Sequence, residues 1–203
     1  VRATSLRWRP AGALTRAPRW FSSATGAKPW YPRPLDQLVK LDLLVENDPP
    51  AITDIWLKHH KSLDTCAAAT LSGAEHAKIV ERAQKNPVFT FPVRRAESFF
   101  VLVAQWQENS QHCLFASLED YQSNPTAAEP YLGVTVYPEL KDQKDLCLLR
   151  ADLCHDAITQ EGGQRLLDLL VSYYVDDENF ETVQAFNQSP QDFDYEKFLA
   201  SCP

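Results

Sequence analysis

Val88-Phe89-Thr90-Phe91-Pro92-Val93 is followed by Ser98-Phe99-Phe100-Val101-Leu102-Val103-Ala104-Gln105. These two stretches decide the fold class, because here the apolar spacing changes from a period of 3.6 to a period of 2. Phe89, Phe91 and Val93 alternate with their neighbours, so 88–93 reads as a strand. Pro92 cannot donate to a ladder and puts that strand at an edge or a bulge. Residues 98–105 are almost continuously apolar, the pattern of a strand buried on both faces. Arg94-Arg95 lies in the turn between them.

The same period continues C-terminally. Glu108-Asn109-Ser110 makes a turn, and 111–117 (QHCLFAS) is the partner strand of a hairpin. Residues 119–130 form a polar loop. Residues 131–137 (YLGVTVY) alternate again, 138–145 make a charged turn, and 146–153 (LCLLRADL) form a further strand. A short apolar stretch at 66–70 is a candidate sixth strand. Short turns between successive strands predict a meander.

On both sides of these strands the spacing is helical. Leu35, Leu38, Val39, Leu41 and Leu44 predict a helix over 35–45, which Asn47-Asp48-Pro49-Pro50 ends. Ile52, Ile55, Trp56 and His59 share one face of a helix over 51–62. Ser72-Gly73-Ala74-Glu75 is a capping box, so a helix runs from Gly73 to Lys85 and stops at Asn86-Pro87. Thr159 caps a helix through Tyr174. Phe180, Val183 and Phe186 mark a short helix, and 192–200 a last one. Helices, then strands, then helices describe an α+β domain: a single, mostly antiparallel sheet of five to six strands flanked by N- and C-terminal helices.

The chain has 203 residues and a net charge of −7, but the charge is unevenly placed. Residues 1–33 hold seven basic residues and no acidic one. The other 170 hold 13 basic and 27 acidic residues, a net of −14. The Arg-rich, acid-free stretch 1–23 has the character of a mitochondrial transit peptide, and it lacks the continuous apolar run of a secretory signal. Arg19-Trp20-Phe21-Ser22 places cleavage after Phe21. The alternative is a basic arm for nucleic acid or anionic lipid, and the acidic body argues against nucleic acid. The sequence does not begin with Met, so its true start is expected upstream. Residues 24–34, containing Lys28-Pro29-Trp30-Tyr31-Pro32-Arg33-Pro34, form a Pro-rich linker, and the domain occupies 35–200. No run approaches the ~18 apolar residues of a membrane span.

Known catalytic patterns are missing from the sequence. It has no GxxxxGK[ST], GxGxxG or GxSxG, and only six glycines. His59 and His60 point about 100° apart on a helix and cannot chelate one metal. His112 and Cys113 lie on opposite faces of a strand, which separates a base from a thiol nucleophile. The five cysteines (Cys66, Cys113, Cys147, Cys154, Cys202) have no CxxC spacing and read as free thiols. No cofactor, no metal and no enzymatic activity are expected. Arg94-Arg95 is either a hairpin turn with one arginine paired to Glu97, or a contact for an acidic patch on a partner.

Several blocks together resemble one family, the mitochondrial assembly factors (assembly factor 1) of the ATP synthase F1 head. They are the 35–44 apolar spacing, Ile52-Thr53-Asp54-Ile55-Trp56, and Arg82-Ala83-Gln84-Lys85-Asn86-Pro87 before Phe89. Next come Arg94-Arg95 before Phe99-Phe100, Gln105-Trp106, Tyr137-Pro138-Glu139-Leu140-Lys141, and Ala185-Phe186-Asn187 with Pro190 and Phe193. Two places depart from the family pattern. Ala96-Glu97-Ser98 stand where the family has Gly-Tyr, and Lys144-Asp145 where it has Lys-Gly.

The resemblance implies a chaperone of the mitochondrial matrix. It would bind the free β subunit of F1, shield the face that later meets the α subunit, and act as a monomer without catalysis. An unpartnered obligate interface is apolar and aggregation-prone, so aromatic anchors with a polar rim would suit such a protein. Arg94, Arg95, Phe99, Phe100, Trp106 and Tyr137 are the candidate partner-binding residues, with Trp56 a further candidate. The readings left beside it are a small mitochondrial ligand-binding domain or enzyme, and a structural subunit of the finished synthase.

Overall fold

A computed structural model describes residues 30–94, 99–107, 109–124 and 127–201. Six strands are present among them: β1 (Cys66–Ser72), β2 (Val88–Arg94), β3 (Phe99–Trp106), β4 (His112–Ser117), β5 (Pro130–Tyr137) and β6 (Leu146–Leu153). They form one sheet in the order β1-β6-β5-β4-β3-β2, with every neighbouring pair antiparallel. β2 to β6 are the expected meander. β1 is the exception, because it pairs with the last strand rather than the next one.

The helices are α1 (Leu41–Leu44), α2 (Pro49–Lys61), α3 (Gly73–Lys85), α4 (Leu118–Ser123), α5 (Lys141–Lys144), α6 (Gln160–Val175), α7 (Asp177–Gln188) and α8 (Tyr195–Ser201). α3 carries the chain from β1 at one sheet edge to β2 at the other. Its N-terminus satisfies three orphan amides. The Ser72 amide donates to Glu75 Oε2 (2.7 Å), the Glu75 amide to Ser72 Oγ (3.2 Å), and the Gly73 amide to Asp145 Oδ1 (2.9 Å).

Period 2 on the strands sorts two cores. One face carries Phe89, Phe91, Leu102, Ala104, Trp106, Phe115, Leu132, Val134 and Leu149 against Ile79 of α3, Leu167 and Tyr174 of α6 and Phe186 of α7. The other face divides. Ala68, Tyr137 and Leu148 pack with Leu35, Leu44, Ile52 and Trp56, and Val103 packs under Leu118 and Tyr121 of α4. β3 is therefore buried on both sides at its centre, which explains its unbroken apolar run.

Side-chain amides cover both sheet edges. Gln164 of α6 pairs with both the amide and the carbonyl of Ala68 in β1 (3.2 and 3.0 Å). Asn187 of α7 does the same for Val88 in β2 (3.3 and 2.6 Å). Each replaces one rung of a missing strand, and Pro92 further blunts the β2 edge.

Several local expectations change. The stretch 35–45 is a 3-10 turn at Leu35–Gln37 followed by the single turn of α1, because Lys40 between them is extended (φ −80°, ψ 93°). Pro49-Pro50 opens α2 as well as stopping what precedes it. Asp48 accepts from the Ala51 amide (2.9 Å), and prolines in the first turn lose no helical bond. The polar stretch 119–130 contains most of α4, anchored by buried Tyr121. The segment read as a linker packs on the sheet from Trp30 onward. The Trp30 indole occupies the space over Gly133 that a Cβ would need, and the Arg33 carbonyl accepts the Tyr137 hydroxyl (2.8 Å).

Candidate partner-binding surface

The aromatics singled out in the sequence fall into two groups. Trp106 and Tyr137 are each only 3% exposed. Trp106 stands edge-on to Tyr174 in the main core, with ring centroids 5.6 Å apart. Its phase with Leu102 and Ala104 is the signal that places it there. Tyr137 stands edge-on to Trp56 at 6.1 Å beneath α2. Burial, then the nearby Asp152 carboxylate, pushes its hydroxyl up to about 12, so it stays a neutral donor. Trp56 is buried too, and its indole donates to the Leu149 carbonyl (3.0 Å). All three rings are packed in the core, and of the three Trp56 also lines the groove between α1 and α2.

Phe99 and Phe100 begin β3 on opposite faces. Phe99 is 55% exposed, while Phe100 is half-buried beside Tyr131 at 6.1 Å. Arg94 is paired with Phe99 in register, and its guanidinium donates to the Leu199 carbonyl of α8 (3.1 Å). Arg95 and Glu97 lie outside the described residues, as do Cys202 and the segment 1–23. The hairpin end thus presents one bare aromatic beside an arginine.

A second surface was not singled out in the sequence. Leu43 of α1 and Ile55 of α2 are 57% and 46% exposed. They border a groove of about 350 Å³ between the two helices, with Leu38, Val39, Leu44 and Trp56 on its walls and floor. Its polar liners are Lys40, Asn47 and His59, with no carboxylate among them. The sequence signal was Ile55 standing beside Ile52 and Trp56, which makes the apolar stripe of α2 wider than one core contact needs. Reading 35–45 as one continuous helix hides the groove, because the extended Lys40 that sets α1 apart is not written in the apolar spacing.

Burial governs the titratable side chains of the interior among the described residues. Cys66, Cys113, Cys147 and Cys154 are buried free thiols. Burial pushes Cys147 up to about 11 and Cys154 up to about 12, and Cys113 well above its ordinary range, so none is a thiolate near neutral pH. His112 turns away from Cys113 to meet the edge of Trp30 at 5.7 Å. Burial lowers His60 to about 4, and its Nδ1–H donates to the Trp56 carbonyl (2.8 Å). Arg150, buried on the outer face of β6, shares Asp152 (2.8 Å) with Arg33 (3.5 Å). No group of three or more His, Cys, Asp or Glu residues could hold a metal among the described residues. None of their helices is long and apolar enough to cross a membrane.

The ATP11 protein family model matches residues 13–199, nearly the whole chain. The chain belongs to the ATP11 protein family. Relatives called ATP synthase mitochondrial F1 complex assembly factor 1 align with it over 168 residues, or 82% of this chain. The Danio rerio and Homo sapiens proteins are each 27% identical to it over 55% and 50% of their own lengths, and the Mus musculus protein is 26% identical over 51%. The chain therefore spans about half the length of the curated relatives it matches.

The blocks that suggested the ATP11 family have physical roles here. Arg82 donates to the carbonyls of Tyr174 (3.1 Å) and Val175 (3.0 Å) at the end of α6. It also pairs with Asp177 and lies 4.3 Å from the centre of the Phe180 ring. A cation at a helix C-terminus is favourably placed. The Asn86 carbonyl accepts the buried Tyr174 hydroxyl (2.7 Å). Phe186 fills the core while Asn187 closes the β2 edge.

Proposed function

We propose that this chain is a non-catalytic assembly factor for the F1 sector of ATP synthase. It binds the free β subunit in the mitochondrial matrix and covers its apolar interface until the α subunit replaces it. The observation that carries this reading is the family match over 13–199, together with relatives whose names state F1 assembly. Two features support it. The surface exposes apolar side chains at Phe99 and along the α1–α2 groove, where a client interface can be held reversibly. The acid-free N-terminal segment has the composition of a matrix-import signal.

The test is aggregation of purified β subunit, followed by light scattering with and without the chain. The chain should keep β soluble at near-equal molar ratio. Unchanged precipitation would reject the proposal. For the matrix location, N-terminal sequencing of the organellar form should begin between about Ser22 and Lys28. An unprocessed cytosolic protein would reject that part.

A further inference from the structure

We infer that the groove between α1 and α2 is the client-docking site, and that it receives an apolar helical segment carrying a carboxylate that meets Lys40. This rests on the assembly-factor reading and deepens it. Ile52, Trp56 and His60 of α2 are turned into the protein, while Ile55, one position around, remains 46% exposed. Leu43 faces it from α1 at 57% exposure, and Leu38, Val39 and Leu44 complete an apolar trough. A trough with apolar residues on two facing helices suits anchors at i, i+3 or i+4 of a third helix.

Charge selects the occupant. Lys40 makes no ion pair with the described residues, although the chain from residue 34 onward carries a net of −14. The other polar liners, Asn47 and His59, bring no acidic group to the groove. An unpaired cation beside apolar walls complements a helix with an acidic flank. The chain's own residues 1–29 hold six basic residues and no acid, so they would set cation against cation. A second copy docked symmetrically would bring the two Lys40-bearing grooves together and two acidic bodies into contact.

The experiment uses the full chain and purified β subunit. Binding of the unchanged chain is measured first, and its absence would overturn the assembly-factor reading itself. Given binding, Leu43→Asp and Ile55→Asp should each weaken it at least about 30-fold, the loss expected at a hot spot. Lys40→Glu should weaken it severalfold, while Lys61→Glu outside the groove should not. Thermal melting of each variant checks folding. Leu43, the more exposed of the two, carries the test if Ile55→Asp fails to fold. Unchanged affinity in a folded Leu43→Asp variant would overturn the docking proposal and leave the assembly role standing. A photo-crosslinking amino acid in place of Leu43 identifies the occupant. A crosslink to an acidic-flanked apolar helix of β supports the proposal. A crosslink to residues 1–29 or to a second copy of the chain overturns it.

Discussion

Asp145 occupies a position where an L-residue is strained, and replacing it should separate two opposing effects. Its φ of 51° and ψ of 39° are left-handed, and it is one of two non-glycine residues with positive φ among the described residues. That conformation costs an ordinary L-residue about 1–2 kcal/mol and glycine almost nothing. In return, its carboxylate accepts the Gly73 amide at 2.9 Å, on the first turn of α3. Removing a cap of this kind costs about 1 kcal/mol. Asp145→Ala keeps the strain and loses the bond, so it should destabilise by about 1–2 kcal/mol. Asp145→Gly loses the bond but relieves the strain, so it should be within about 0.5 kcal/mol of the parent. For a chain of this size 1 kcal/mol moves Tm by about 2–4 °C, so Ala should melt roughly 3–6 °C low and Gly within about 2 °C. Thermal melts followed by circular dichroism, with urea titrations beside them, decide it. Equal Tm for the Ala and Gly variants would refute the strain argument. An Ala variant as stable as the parent would refute the cap.

Trp106→Ala should lower folding stability by about 3–5 kcal/mol in urea, since it opens a cavity in the core. A variant of parental stability that fails to hold β would instead place the ring on the binding surface. Gly133→Ala drives a Cβ into the Trp30 indole and should cost about 1–3 kcal/mol. The cost should largely vanish in a Trp30→Ala background, and equal costs in both backgrounds would refute the contact. His60 is lowered from 6.5 to about 4 in the folded chain, so the unfolded chain binds its proton first as pH falls. Its contribution is fully present above about pH 6.5 and is lost progressively toward pH 4, by up to roughly 3 kcal/mol. His60→Asn should flatten that part of the pH profile, and an unchanged slope would show that another group produces it.

The strands were legible because period 2 reports which face is buried. Residues 146–153 match β6, and 88–93 lacks only Arg94 of β2. α3 was legible because its capping box is written in Ser72 and Glu75. What sequence could not give was the pairing of β1. The ladder from Cys66 to Asp152 joins residues 86 positions apart, and nothing local to either strand encodes it. The same limit applied to the candidate surface. Trp106 and Tyr137 carry the residue type of an anchor, but exposure depends on what packs above them. For Trp106 this is Tyr174, and for Tyr137 it is α2 with the 30–34 segment. Leu43 and Ile55 have ordinary core identities, and their exposure depends on how α1 and α2 pack rather than on residue type. The Lys144-Asp145 departure was visible as a missing glycine, but its compensation by Gly73 requires the fold.

Size-exclusion chromatography with light scattering, on the full chain mixed with free β subunit and separately with assembled F1, tests the central claim most directly. The account predicts a one-to-one complex with free β and none with assembled F1, where the α subunit already covers the interface. Absence of a complex with free β, or equal binding to the finished F1, would contradict it.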